Sequence, residues 1–177
     1  MLSKAMEKSL NDQVNFEIYS SYLYMAMTSA LEAMNYKGAA HWMRIQTLEE
    51  LFHANKFFNY IIDREGRATL QEIKKPKTEW KSLFDVFEDA HKHEQLVTSR
   101  ICNLVDLALT EKDHVTNSTL QWFVTEQIEE ESNGKNIIEK IKRTKNSTDS
   151  LMIIDNELAA RVLSPMANIT AAVAAPL

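Results

Sequence analysis

Apolar residues recur at alternating steps of three and four over four long stretches of the chain, the spacing of a helix that turns one face toward a core. The first stretch runs from about Ser3 to Met34 and ends at Asn35-Tyr36-Lys37-Gly38; the second runs from about Ala39 to Glu65 and stops near Gly66. A polar stretch, Arg67 to Lys81, follows and contains Pro76. Ser82-Leu83-Phe84-Asp85 then has the spacing of a capping box, with Asp in the acidic position, and opens a third helix that ends near Glu111. The fourth runs from about Val115 to Lys145, and a short fifth, Ser150 to Val162, stops before Ser164-Pro165. Each long stretch has roughly 27–32 residues, or ~40–48 Å of helix. No strand pattern and no internal repeat is seen.

The connections set the architecture. Short turns make helices one and two antiparallel neighbours, and likewise three and four. The long link between them can cross the length of a bundle. The expected fold is all-α: a four-helix bundle with one long crossover between helices two and three, plus a short fifth C-terminal helix. One domain is expected over residues 1–165, followed by an Ala-rich, apolar tail at 166–177.

Composition narrows the class. The chain has 177 residues, 45% hydrophobic and 25% charged, with a net charge of −5, the balance of a soluble globular protein. No basic stripe suggests a nucleic-acid footprint, and no apolar run reaches the length of a membrane span. Cys102 stands alone, so no disulfide forms within the chain. Met1 to Asp12 lack the apolar core of a secretory signal, so the cytoplasm is the expected compartment.

The stripes carry the chemistry. Helix one presents Leu10, Glu17, Tyr24 and Leu31; helix two presents Met43, Gln46, Glu50, His53, Phe57 and Tyr60. Helix three reads Phe84, Phe87, His91, Glu94, Thr98, Ile101, Val105, and helix four reads Leu120, Phe123, Gln127, Glu130, Gly134, Ile137, Ile141. Each stripe is apolar near its ends and holds a carboxylate near its middle. A buried carboxylate is costly unless paired or bound to a metal. One such Glu is ordinarily a solvated surface residue; four at mid-height, one per helix, point to a shared site. Glu50 and His53 lie one turn apart on one face, the Glu-x-x-His spacing of di-iron bundles, and iron(II) accepts both donor types. His91 and His93 read as structural or surface residues. Tyr24 reads as core that can also hydrogen-bond a site carboxylate, and Trp122 as packing one turn from Glu126. Glu126, Glu129 and Glu130 share a face that could take a further cation.

Four stretches resemble the non-haem bacterial ferritins: Asn15-Phe16-Glu17 with Tyr24; Leu48 to Ala54; Lys92-His93-Glu94-Gln95; and Leu120 to Glu131. The resemblance runs from about Met1 to Val162 and fades in the tail. It implies a first iron held by Glu17, Glu50 and His53 with Gln127 close by. It implies a second that shares Glu50 and takes Glu94 and Glu130, and a third at Glu49, Glu126, Glu129 and Glu130. It further implies ferroxidase activity, in which iron(II) is oxidised by dioxygen or peroxide, and storage of ferric mineral in a hollow homo-oligomeric shell of 24 subunits. Bacterioferritins carry a haem-ligating Met directly after the helix-two Glu and a second Glu-x-x-His on helix four. Here Leu51 follows Glu50, and helix four offers Gln127 and Glu130, so haem is not expected. The alternatives are a haem-free bacterioferritin-like or other di-iron redox protein and, from a different class, a metal-free structural or signalling bundle.

Overall fold

The computed structural model describes residues 1–164, and the tail expected at 166–177 lies outside them. Five helices and no strand occur among the described residues: α1 (Lys4–Ala33), α2 (Lys37–Asp63), α3 (Leu83–Thr110), α4 (His114–Arg143) and α5 (Thr148–Leu158). α1 pairs with α2 and α3 with α4; α1 also packs on α3, and α5 lies against α2 and α4.

Local chemistry explains where the helices begin and end. Ser3 and Ser82 cap α1 and α3, their hydroxyls accepting from Met6 N at 3.0 Å and Asp85 N at 3.1 Å. Three helices close with the same Schellman motif. Asn35, Glu65 and Lys112 take left-handed φ angles of 64°, 59° and 58°, and the following amides donate back to Leu31, Ile61 and Ala108. Thus α2 stops at Asp63, two residues before the boundary expected from Gly66, because Glu65 supplies the left-handed turn. α4 spans His114–Arg143 where 115–145 was expected, with the Asp113 carboxylate accepting from Thr116 N at 3.1 Å.

The start of α2 departs from expectation for a tertiary reason. Tyr36 gives it no side-chain cap. Instead Asp155 of α5 accepts from Gly38 N at 3.1 Å and Ala39 N at 2.8 Å, so the helix begins at Lys37 and not at Ala39. α5 approaches so closely that a Cβ on Gly38 would lie 1.7 Å from the Asp155 carbonyl oxygen. α5 itself ends at Leu158, short of the expected Val162, and the chain turns at Ala159-Ala160 to bring Arg161 back over α2.

The crossover, residues 64–82, is held by side chains. Asn11 donates to Arg67 O at 3.0 Å and accepts from Thr69 N at 2.6 Å. Asp89 of α3 accepts from Lys77 at 2.5 Å and from Trp80 Nε1 at 2.8 Å.

The bundle has two apolar cores. One contains Met6, Leu10, Val14, Phe57, Ile61, Val97, Ile101, Leu120 and Phe123. The other contains Tyr24, Met27, Leu31, Met43, Phe87, Ile137 and Ile141, and takes Ile154 and Leu158 from α5. The stripes of α1 and α4 are buried throughout. On α3 the buried face is rotated: Phe84, His91, Thr98 and Val105 are only half-buried, while Leu83, Ala90, Val97 and Leu104 are buried. α3 packs on both α4 and α1, so its inward face is wider than one seam and is centred one residue earlier.

Gly38 therefore acts as a landing point for α5. Gly38→Ala is expected to push α5 outward and remove the Asp155 cap. A lost cap costs about 1 kcal/mol, so a lower melting temperature and faster amide exchange across 148–158 should follow. Unchanged exchange in α5 would contradict the role assigned to this glycine.

A candidate metal centre between two apolar cores

The layer separating the two cores is polar. It contains Glu17 from α1, Gln46, Glu50 and His53 from α2, Glu94 from α3, and Gln127 and Glu130 from α4, all buried. Heptad spacing carries each helix through this layer with its inward position filled by a donor, and leaves apolar side chains above and below.

Glu17, Glu50 and His53 converge most tightly. Each offers one ligand-capable atom within 4.8 Å of the other two, and His53 Nδ1 lies 3.6 Å from Glu50 Oε2. The far carboxylate oxygens are tied back by glutamines. Gln13 Nε2 donates to Glu17 Oε1 at 2.8 Å, and Gln46 Nε2 to Glu50 Oε1 at 3.2 Å. The near oxygens, Glu17 Oε2 and Glu50 Oε2, are buried with no donor except a proton held between the two acids themselves, and Glu130 Oε2 is buried with no partner. Buried polar atoms in folded proteins nearly always have partners, so three carboxylate oxygens in one layer that no amide, hydroxyl or cationic side chain satisfies mark a place for a cation.

Glu94 stands beside this group and outside its tight cluster. The Tyr24 hydroxyl donates to Glu94 Oε1, and Gln127 Nε2 donates to Oε2 at 3.1 Å. The same Gln127 nitrogen also reaches the residue-94 carbonyl oxygen at 3.2 Å and Thr98 Oγ1 at 3.3 Å, which fixes the amide beside Glu94. His93 is a core residue: its Nε2 lies 2.7 Å from Ser20 Oγ and its ring stacks on Phe16 at 5.2 Å. Burial pushes it down to about 4, so it is neutral at physiological pH. His91 is half-buried against Gly134.

Burial dominates the electrostatics. Glu17, Glu50, Glu94 and Glu130 are each pushed up to about 8, first by loss of water and then by one another's charge: Glu50 on Glu17 and Glu94, Glu130 on Glu50, and Glu94 on Glu130. Burial and the Glu94 charge likewise hold the Tyr24 hydroxyl well above its usual range, so it remains a donor.

A second polar region opens outward. Glu49, Glu126, Glu129 and Glu130 line one cavity of about 220 Å³, together with His53 and Trp122. Glu49 and Glu130 are buried, Glu126 is half-buried and Glu129 is exposed. The Lys56 ammonium lies 3.4 Å above the Trp122 ring. The cavity also holds Arg161, whose guanidinium donates to Glu49 Oε2 and, at 2.7 Å, to Gln46 Oε1.

Sequence reasoning missed Gln13 and Arg161 and gave Gln46 no role. The two glutamines had a readable signal, since each precedes its carboxylate by four residues, one helical turn on the same face. Arg161 had none, because its partners Gln46 and Glu49 lie more than a hundred positions away.

A family model described as a ferritin-like domain matches residues 7–144. The bacterial non-heme ferritin of Staphylococcus haemolyticus is 41% identical over 161 residues, covering 91% of this chain and 97% of that one. The protein of the same name from Staphylococcus saprophyticus is also 41% identical, over 91% of this chain and 96% of that one. Among solved structures, the open-pore ferritin of the archaeon Archaeoglobus fulgidus superposes with a TM-score of 0.91 at 42% identity, covering 92% of this chain and all (100%) of that one. A humanized archaeal ferritin gives 0.92 at 44% identity, over 93% and 100%.

The raised acids make the metal-free protein pH-sensitive with a definite sign. In the unfolded chain these groups lose their protons near 4.5, whereas in the folded protein they hold them to about 8. The native state thus binds more protons across that window, and stability falls as pH rises through it. Asp12, Asp89 and Asp113, held low by their hydrogen-bonding partners, have already given their full contribution by pH 5, and His93, lowered from 6.5 to about 4, opposes the four acids by a single proton over the lower part of the window. Chelator-treated protein should therefore melt at a steadily lower temperature from pH 5 to pH 8. Glu130, with an orphaned buried oxygen, should tolerate Glu130→Leu with an unchanged or higher melting temperature and a flatter pH dependence, since apolar replacement of buried charge is often stabilising by roughly 1–4 kcal/mol. Glu94→Leu should gain less than Glu130→Leu, because the buried Tyr24 hydroxyl loses its acceptor at about 1–3 kcal/mol, while Gln127 keeps the residue-94 carbonyl oxygen and Thr98 Oγ1. Calorimetry at equal protein concentration checks all three, and a melting temperature that climbs from pH 5 to pH 8 would contradict the sign.

Proposed function

Because this chain belongs to the ferritin family, whose members store iron, we propose that it oxidises iron(II) at a di-iron centre within the subunit and deposits the ferric product inside a hollow shell of 24 copies in the cytoplasm. The observation that carries the reading is the convergence of Glu17, Glu50 and His53 with buried carboxylate oxygens that no amide, hydroxyl or cationic side chain satisfies. A purely structural bundle has no use for such a group: a packed apolar layer would fold more stably.

Iron(II) is the substrate here. Glu17, Glu50 and His53 supply two oxygen donors and one nitrogen donor for one ion. Glu50 is the bridge to a second ion, which Glu94 and Glu130 complete from the other two helices. The two ions release one electron each, and dioxygen takes up the pair and is reduced to the level of peroxide. The chain's own part is geometric and protonic. Gln13 and Gln46 hold the outer oxygens, so that the inner oxygens of Glu17 and Glu50 face the ions. Tyr24 and Gln127 fix the Glu94 carboxylate from both sides. The acids carry protons at neutral pH and must release them as iron enters, so iron affinity should weaken as pH falls below about 8. The two apolar cores limit water on either side of the layer.

Glu49, Glu126 and Glu129 line the adjoining cavity with Glu130 and are read as the third cation position, outside the pair that does the first oxidation.

Stopped-flow absorbance after mixing iron(II) with oxygenated protein tests the centre. Glu50→Ala and His53→Ala should each slow the fast phase by more than about 100-fold, the scale of losing a group that acts only in the reacting complex, while a sizing column still shows the shell. Glu129→Ala should keep the fast phase and lose the third metal peak in soaked crystals. Wild-type speed in Glu50→Ala would sink the assignment.

A further inference from the structure

Arg161 is placed where the third cation is expected. Its side chain is only 17% exposed and that of Glu49 only 11%. One terminal nitrogen donates to Glu49 Oε2, and the other donates to Gln46 Oε1 at 2.7 Å and reaches Trp42 O at 3.4 Å. The guanidinium carbon lies 4.0 Å from the centre of the Trp42 ring, and the Arg161 carbonyl is 2.8 Å from His41 Nε2. This is a built seat for one planar cation. Around it stand four carboxylates, and Arg161 is the one guanidinium among the described residues that line the cavity. Glu130, which faces both this cavity and the inner layer, still has a buried oxygen without a partner. The outer cluster therefore has more carboxylate than a single guanidinium satisfies.

We propose that Arg161 is the resident counter-cation of the outer carboxylate cluster, and that a metal ion must displace it from Glu49 to fill that position. The inference rests on the reading of the cluster as a third cation position and adds what controls its filling. Two positive charges cannot share Glu49 without repulsion at a distance of a few ångströms. The metal at this position therefore competes directly with a tethered cation, whereas the inner ions compete with protons and meet the Arg161 charge only through Glu130. The inner pair fills first and the outer position last. The guanidinium also orients Gln46: by taking its carbonyl oxygen, Arg161 turns the amide nitrogen toward Glu50. Displacement of Arg161 thereby reaches the bridging carboxylate and frees the stretch after α5 from its anchor over α2.

The test uses the intact chelator-treated shell with zinc(II), a redox-inert probe, titrated by calorimetry at fixed pH. In the wild type, two equivalents per subunit should bind tightly and a third more weakly. R161A and R161Q should narrow the gap between the third and the first two by at least tenfold, and R161K, which keeps the charge, should leave the gap nearer to wild type. Crystals soaked at limiting zinc should show an anomalous peak against Glu49 in R161A, while the wild type still holds the guanidinium there. At saturating zinc the wild-type guanidinium should have left Glu49. A role confined to anchoring the end of α5 would change heat stability and leave the gap between sites unaltered. Two tight equivalents with an unchanged third in both R161A and R161Q would overturn this inference alone. Absence of the two tight equivalents from all the proteins would overturn the di-metal reading and this inference with it.

Discussion

Desolvation of four carboxylates in one layer is the constraint on which the rest of the structure depends. Glu17, Glu50, Glu94 and Glu130 come from four different helices and meet where the bundle would otherwise be apolar. Each is pushed up to about 8, and each pKa unit is worth about 1.4 kcal/mol. Relative to a chain whose acids titrate near 4.5, one such group weakens the fold at pH 7 by on the order of 3 kcal/mol. Marginal stability of about 5–15 kcal/mol for a domain could not absorb several such losses without compensation. The two apolar cores on either side provide it, each drawing on all four long helices.

The compensation is also visible in which atoms are satisfied. A carboxylate has more acceptor capacity than the layer provides donors for, and the donors are not spread evenly. Glu94 is held on both oxygens, by Tyr24 and Gln127. Glu17 and Glu50 are held on one oxygen each, by Gln13 and Gln46, and the other oxygen has no such donor. Neutral amides orient these acids without bringing in a cation that would rival a metal. A lysine or arginine in their place would neutralise the carboxylate and remove its attraction for a metal. At the outer cavity the logic reverses. There Arg161 pairs with Glu49, and under the proposed reading of that cluster the same physics makes it the harder position for a metal to occupy.

Most of this is legible in the sequence, because the period of a bundle helix is fixed and a carboxylate on an apolar stripe stands out. Glu17, Glu50, His53 and Glu130 lie on their expected stripes and are buried in one layer. The expected α3 stripe is one residue off its true centre, since a seam drawn for one neighbour cannot anticipate a helix that packs on two; His93, read as structural or surface, is the structural kind and lies in the core. Glu94 survives the error because it lies within the wider buried face. Gln13 and Gln46 are legible in principle by their one-turn spacing. What no local pattern carries is the return of α5: the Asp155 cap on α2, the bare Gly38 beneath it, and Arg161 over Glu49 all join residues 112 or more positions apart. They depend on how α5 docks, which neither propensity nor periodicity specifies.

The proton content of the layer links fold and function in a way that neither shows alone. At neutral pH the acids retain protons that the unfolded chain has already lost, so the metal-free protein is strained by its own site. A cation entering the layer supplies the charge that lets the acids ionise without mutual repulsion, and the protons leave as it enters. The site therefore titrates as a set, because each acid's charge is felt by its neighbours from Glu17 through Glu50 to Glu94 and Glu130. Binding to the native state alone raises stability by mass action, and here it also removes the strain. The group that weakens the empty bundle is thus the group that strengthens the filled one. Replacing any one of these carboxylates shifts both balances at once: the empty bundle gains most at Glu130, whose buried oxygen has no protein partner to lose, and less at Glu94, which holds the Tyr24 hydroxyl, while the filled bundle loses with either.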